Sequence, residues 1–263
     1  MQTTSYNILI MELLGSSLDT IFAKCEKKFS LGTVLLLGYE IVSLLEDLHK
    51  VGFIHRDIKP NNFLVGKGAN SNKIYLTDFG LSRYYVKNGK HIEFSSNKNL
   101  IGTLRYASIN MHLGIEPTRR DDLESVGYML IYFLKGILPW QGIKNKSESD
   151  HITLIGNMKI GTNLDKLCND LPKQLKEYIK ICRELGFDEE PNYTKLKDLF
   201  LSAAKDNNIK LKYDWVDNVN NIDNINDDVE HKNHKNNVKH KNKSKSQSKE
   251  EDKNKRKKME TSD

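Results

Sequence analysis

What this chain lacks narrows what it can be. Cysteine occurs only as Cys25, Cys168 and Cys182, an odd number at wide spacing, which argues against a disulfide framework and against a C-x-x-C metal site, and points to a reducing compartment. Nowhere is there an uninterrupted apolar run of ~18 residues, the length a membrane-spanning helix needs. The opening stretch MQTTSYNILIMELLG has no basic start and its apolar run is broken by Glu12, so no signal peptide is expected. Internal repeats are absent as well. A chain of 263 residues can still fill one sizeable core without disulfides or metals. The formal charge of +6, from 41 basic against 35 acidic residues, is concentrated near the C-terminus, which weakens any whole-protein argument for nucleic-acid binding.

The patterning that is present is mostly helical. Tyr6 to Leu14 is a short β-branched apolar run ended by Gly15-Ser16-Ser17, which predicts a buried strand, a turn and then a helix. From Leu31 to Lys50 apolar residues recur at three- and four-residue intervals, with Ser30 as N-cap and Gly52 as stop. Asn62 to Val65 and Lys73 to Leu76 flank a turn-rich stretch and predict a hairpin. Ser82 to Met111 is polar, without period, and too long for an ordinary connector, so function is sought there. Asp121 to Leu134 is nearly all apolar after its first turn and predicts a helix buried on all sides. Further helices are predicted around Asp150 to Lys159, Leu175 to Glu184 and Tyr193 to Asp206, with the fold ending near Trp215. Beyond it, Val216 to Glu230 is rich in Asn and Asp, and Lys232 to Lys258 is rich in Lys; such a segment buries too little surface to offset ordering entropy and is expected to be disordered.

The chemistry sits in two motifs. His55-Arg56-Asp57-Ile58-Lys59-Pro60-Asn61-Asn62 matches H-R-D-x-K-x-x-N, the catalytic loop of protein kinases, and Asp78-Phe79-Gly80 follows after the short hairpin. Phosphoryl transfer needs the nucleophile held in line, the spreading charge neutralised and the metals fixed. Asp57 would accept a hydrogen bond from a substrate hydroxyl and take its proton late, as a bare carboxylate pointing into the cleft. Lys59 would place positive charge on the transferring group. Asn62 and Asp78 supply the hard oxygen ligands that Mg²⁺ prefers. His55 is read as structural, packed behind the loop.

Four longer strings narrow the match: ELLGSSLDTIF (Glu12 to Phe22), KNLIGTLRYASIN (Lys98 to Asn110), HLGIEPTRRDDLESVGY (His112 to Tyr128) and LPWQGIK (Leu138 to Lys144). Together they resemble the casein kinase I family of serine/threonine protein kinases from about Tyr6 to Trp215, with Ser108-Ile109-Asn110 standing where most kinases carry A-P-E. The resemblance implies an α+β protein-kinase-like fold: a hinge strand and a mostly helical C-terminal lobe with short β-hairpins over residues 1–215, then a disordered tail over 216–263. It also implies ATP and Mg²⁺ as cofactors, with Met11 as gatekeeper, Glu12 and Leu14 as the hinge that binds adenine, and Leu64 as the floor of that pocket. Thr103 would bond Asp57 and Lys59 and favour Ser/Thr hydroxyls, and Asp122 would anchor the catalytic loop. Casein kinase I enzymes prefer acidic or phosphate-primed protein substrates, read by a basic site matched here by Arg105 and Gly142. The third member falls on His151, a residue type largely neutral at pH 7, and basic residues expected nearby are replaced by Glu93-Phe94-Ser95-Ser96 and Ser147-Glu148-Ser149-Asp150. Phosphate recognition is therefore expected to be weaker or pH-sensitive. Asn110 and Glu190 occupy the places of the A-P-E glutamate and its arginine partner, so that pair is expected to be missing.

The match begins at the strand leading into the hinge, so the Gly-rich loop, the strand lysine and its helix glutamate have no counterpart in these residues. The chain as written is expected to have little activity alone. One reading is an ordinary active kinase of which this sequence is a part; the other is a half-kinase acting as a protein-binding module. A monomer of the cytoplasm or nucleus is expected, without membrane or nucleic-acid partners, although Lys253 to Lys258 (KNKRKK) also reads as a nuclear localisation segment.

Overall fold

The computed structural model describes residues 8–143 and 147–216. The chain divides into a unit of Met1–Asp214 and a second of Trp215–Asp263, of which Trp215 and Val216 are described. The Asn/Asp- and Lys-rich tail otherwise lies outside the described residues, as does Lys144 of the string LPWQGIK.

Past Gly15 the chain enters α1 (Leu18–Lys24), capped by Ser17, whose Oγ accepts the Thr20 N–H at 3.2 Å. The predicted long helix is α2 (Leu31–Lys50), with Ser30 Oγ accepting the Thr33 N–H at 3.2 Å as the sequence suggested. Asp214 reaches back to accept the Ser30 N–H at 2.7 Å, so the end of this unit is fastened to the start of its longest helix. Its apolar stripe of Leu35, Ile41 and Leu45 is fully buried.

The short strands follow: β1 (Phe53–Ile54), β2 (Phe63–Val65), β3 (Ile74–Leu76), β4 (Arg83–Tyr84), β5 (Val86–Lys87) and β6 (Lys90–His91). The predicted hairpin is β2 with β3, antiparallel, pairing Phe63 with Leu76 and Val65 with Ile74. β1 pairs with β4 and β5 with β6, so the stretch read as aperiodic loop begins with ladder structure. Two-residue strands pair through the backbone and leave no side-chain alternation to detect.

Four helices build the rest of the body, after the single turn α3 (Ile109–His112) and around the single turn α6 (Leu164–Leu167): α4 (Arg119–Lys135), α5 (Glu148–Gly161), α7 (Lys173–Glu184) and α8 (Tyr193–Asp206). Every residue of α4 from Asp121 to Phe133 is buried, because α2 and α7 both pack against it while α8 packs on α2 and α7. It begins two residues earlier than predicted, where the Asp121 carboxylate accepts the Thr118 N–H at 2.7 Å, a capping arrangement written in the sequence as Thr118-Arg119-Arg120-Asp121. Gly38 of α2 sits under the Phe200 ring of α8; a Cβ there would lie 2.7 Å from the ring, so these helices approach as closely as they do only with glycine at that place. Phe22, Phe29 and Phe133 close the far end, with ring centroids about 5 Å apart.

One predicted element is corrected. No strand forms over the described part of Tyr6 to Leu14, and Leu9, Ile10, Met11 and Leu13 are exposed. A strand needs a neighbour to take its backbone hydrogen bonds and cover its side chains. Such backbone pairing is made at Gly15, whose N–H donates to Val65 O at 2.8 Å, and at Ser16, whose carbonyl accepts the Val65 N–H at 3.1 Å.

Candidate active site

The loop from His55 to Asn62 leaves β1 and ends in a single 3-10 turn at Pro60–Asn62. Asp122, in the first turn of α4, holds it from behind. One carboxylate oxygen accepts the His55 N–H at 2.7 Å and the His49 Nε2–H at 3.1 Å, and the other accepts the Arg56 N–H at 2.8 Å. Arg56 requires such a hold: its φ is 69°, a left-handed conformation that side chains seldom adopt, and its Nε is committed to Leu81 O at 2.6 Å. Burial pushes the Asp122 carboxyl up, but the bonds from His49 and the His55 N–H outweigh it and hold the group below the ordinary carboxylate range.

His55 is wholly buried. Its Nδ1 accepts the Asp57 N–H at 3.3 Å and its Nε2 donates to Thr77 O at 3.0 Å, which assigns the ring proton to Nε2. The Phe79 ring stands edge-on to it at 5.5 Å, so the structural role expected of His55 is the one it has.

Asp57 is the centre of the arrangement. Thr103 Oγ1 donates to its Oδ1 at 2.8 Å, Lys59 Nζ donates to its Oδ2 at 2.5 Å, and Asn62 Nδ2 donates to its backbone carbonyl at 2.8 Å. Burial raises this carboxyl too, yet the bonds from Lys59 and Thr103 leave it below its ordinary value, hence ionised at neutral pH. The sequence reading is corrected in two details. The carboxylate is engaged at both oxygens and not bare, and Lys59 bonds Asp57 instead of Thr103. Gly102 makes the approach possible: its φ is 82°, and a Cβ there would lie 2.4 Å from Arg56 O. Segment 102–103 therefore lies directly on the catalytic loop.

Asn62 is tied to Thr77, the residue before Asp78, whose N–H and hydroxyl both donate to Asn62 O, at 2.9 and 3.1 Å. Asp78 is exposed and left-handed, φ 62°, and among the described residues its carboxylate accepts only a long bond from Gly80 N at 3.4 Å. With Asn62 Nδ2 spent on Asp57, Asn62 Oδ1 and the Asp78 carboxylate remain as hard oxygen donors. Among the described residues no cluster of three or more His, Cys, Asp or Glu gathers. Two protein oxygens completed by phosphate and water are what a magnesium ion takes, so the donor set fits that ion.

The remaining predicted residues are placed unevenly. Leu14 is half-buried and Leu64 lies on β2, joined through the Gly15 to Val65 bond and the pairing of Ser17 with Leu64; Met11 and Glu12 stay exposed and are not drawn in. Arg105 lies with its guanidinium over the Tyr132 ring at 5.3 Å, and its carbonyl accepts the Trp140 Nε1–H at 2.8 Å, which brings it to the neighbourhood of Gly142. His151, in the first turns of α5, shares no hydrogen bond with either among the described residues.

Sequence reasoning missed an ion pair whose carboxylate is buried and whose guanidinium is half-buried. Glu124 on α4 accepts from Arg183 Nε of α7 at 3.3 Å, from Tyr128 OH at 2.5 Å and from the Ile109 N–H at 3.4 Å. A carboxylate and a guanidinium thus brace the end of the segment carrying Thr103 through the Ile109 N–H. The signal was there: Glu124 is a charged residue inside a run that the pattern places in the core. A family model described as a protein kinase domain matches residues 1–198 of the chain.

Proposed function

Because the chain belongs to the protein kinase family, we propose that its site serves transfer of the ATP γ-phosphoryl group to serine and threonine hydroxyls of proteins, in the manner of casein kinase I. The observation that carries this is the Asp57 carboxylate, ionised and oriented by Thr103 and Lys59, one short loop from the oxygen pair of Asn62 and Asp78. Asp57 accepts the hydrogen bond of the incoming hydroxyl, aligns it and takes its proton as the new P–O bond forms. Thr103 keeps that carboxylate turned to the hydroxyl. Lys59, already beside Asp57, adds positive charge where negative charge spreads in the transition state. Asn62 Oδ1 and the Asp78 carboxylate would hold Mg²⁺, which when bound neutralises phosphate charge. Leu14 and Leu64 would line the adenine side, with Met11 and Glu12 leading to it.

Substrates of this reading are proteins with acidic or phosphorylated residues near the acceptor, met by Arg105 and by the backbone at Gly142, with His151 as a weaker third contact. The test uses the protein as its own cells make it, incubated with γ-labelled ATP, Mg²⁺ and an acidic serine peptide. Transfer is expected, and Asp57→Asn should lower it by about 10²- to 10⁴-fold, the usual worth of a positioned general base, with the fold retained by far-UV circular dichroism. A variant as active as the unaltered protein would refute the assignment.

A further inference from the structure

Lys159, on α5, is wholly buried, yet no carboxylate among the described residues forms an ion pair with it. Its ammonium donates to Leu104 O at 2.7 Å and Ala107 O at 2.6 Å, and sits 3.2 Å from His112 Nε2. His112 Nδ1 lies 3.0 Å from Ile152 O, so Nδ1 carries the ring proton and Nε2 accepts from the lysine. All three ammonium hydrogens are therefore used, and the rings of Tyr128 and Trp140 face the charge at 5.1 Å each. The groups around it are His112 from α3, Glu124 and Tyr128 from α4 and Arg183 from α7. Burial draws the ammonium down to about 7, with Glu124 opposing the fall and Arg183 adding to it. Burying a cation in this way costs stability that an apolar residue of the same length would not. What an apolar residue could not do is bind two carbonyls of a loop with no ladder of its own.

Those carbonyls flank Arg105. The Arg105 carbonyl is taken in turn by Trp140 Nε1 at 2.8 Å. Immediately before them Thr103 bonds Asp57 at 2.8 Å, and immediately after them Ser108 Oγ donates to Asp121 at 2.6 Å. Backbone or side chain of segment 103–108 is thus held at Thr103, Leu104, Arg105, Ala107 and Ser108. Under the kinase reading, a substrate whose hydroxyl reaches Asp57 would lie beside this segment, because Thr103 bonds that carboxylate. The substrate's acidic residues would meet the Arg105 guanidinium, which lies over the Tyr106 and Tyr132 rings at 5.7 and 5.3 Å and starts from the backbone that Lys159 and Trp140 hold.

We propose that Lys159 is a positioning residue for substrate selection: a buried ammonium that, with the Trp140 indole, holds the 104–107 backbone so that Arg105 faces an acidic protein substrate. This rests on the kinase reading above. It predicts that removing the ammonium damages recognition of acidic sequence more than it damages transfer. In the protein as its cells make it, Lys159→Met keeps the length and apolar volume and deletes the donors. Two peptides are compared, one with glutamates before the acceptor serine and one with alanines in their place. KM for the acidic peptide is expected to rise about tenfold, the scale of a lost charge-assisted bond, while KM for the alanine peptide and kcat for both change less than about threefold. Equal changes for the two peptides, or a fall in kcat with selectivity intact, would make Lys159 a scaffold residue and overturn the proposal. Should Lys159→Met fail to fold, Trp140→Phe removes the other donor and keeps a ring. A selectivity loss of about threefold is then expected, and unchanged selectivity overturns the proposal. Absence of transfer by the unaltered protein would remove the kinase reading and this inference together, whereas transfer with variant-insensitive selectivity removes the inference alone.

Discussion

Asp122→Asn is the substitution with the most to lose for the fewest atoms changed. The carboxylate accepts two backbone N–H groups and one imidazole N–H, at 2.7, 2.8 and 3.1 Å, in a site where Asp122 is 2 % exposed. An amide can turn its oxygen toward the His55 N–H or the Arg56 N–H, and its NH₂ then faces the other donor. Each bond to a charged acceptor contributes about 1.5–3 kcal/mol, and a buried donor left unmet costs about 1–3 kcal/mol. The left-handed backbone of Arg56, a strain of about 1–3 kcal/mol, loses half of what holds it. Because these terms overlap, a net loss of about 3–5 kcal/mol is expected, the range for breaking a buried charged contact from one side. For a unit of this size that is a fall of about 8–15 °C in melting temperature, read by far-UV circular dichroism at pH 7.5. A fall under about 3 °C would refute the claim that Asp122 anchors the loop. The pH dependence carries the same sign. Since the folded-state carboxyl is held below its ordinary value, its contribution is present above the unfolded pKa of ~3.9 and is lost as pH falls through the folded value. The variant should lack that acid-limb loss.

Asp121→Asn, one residue away, should behave in the opposite sense. Burial raises the Asp121 carboxyl to about 6 against the pull of Ser108 and Thr118, so the folded state binds this proton more tightly than the unfolded chain does, and stability falls as pH rises from about 4 to about 6. An amide can accept the Thr118 N–H and donate to Ser108, so a change within about 1 kcal/mol at pH 7.5 is expected. The decline between those pH values should vanish in a series of thermal melts, and its persistence would count against the assignment. Gly102→Ala places a Cβ 2.4 Å from Arg56 O at φ 82°, backbone against backbone, a strain of about 1–3 kcal/mol. It should displace Thr103 from Asp57 and lower kcat in the transfer assay by more than tenfold; unaltered kcat would mean that the two loops do not depend on each other.

Much of the fold was legible because helix signals are local. The three- and four-residue spacing over Leu31 to Lys50, the Ser30 cap and the apolar density after Asp121 need no knowledge of distant residues, and the helices stand where those signals put them. The residue types of the site were legible for a similar reason, since Asp57, Lys59, Asn62 and Asp78 lie within two short motifs. Elements that exist only by pairing were harder. The run from Tyr6 to Leu14 has strand composition and no strand among its described residues, while β4, β5 and β6 have loop composition and pair through their backbones. Buried charge was the other blind spot. Pattern reading sends Lys159 to the surface and puts Glu124 in the core without naming its partner, because only three-dimensional neighbours reveal acceptors for three ammonium hydrogens or a guanidinium for a carboxylate.

Asp121 and Asp122 show where one kind of information stops. By itself the sequence determined that two carboxylates open a helix that is nearly all apolar after its first turn. Consecutive helix residues point about 100° apart, so the two face different partners: Asp121 meets the Ser108 hydroxyl and the Thr118 N–H, and Asp122 meets the His49 ring and two N–H groups of the catalytic loop. Tertiary structure alone decided that burial raises the first and hydrogen bonding lowers the second, because the sign depends on which groups surround each carboxylate once water is gone: Glu124 acts on Asp121, and the His49 and His55 imidazoles act on Asp122.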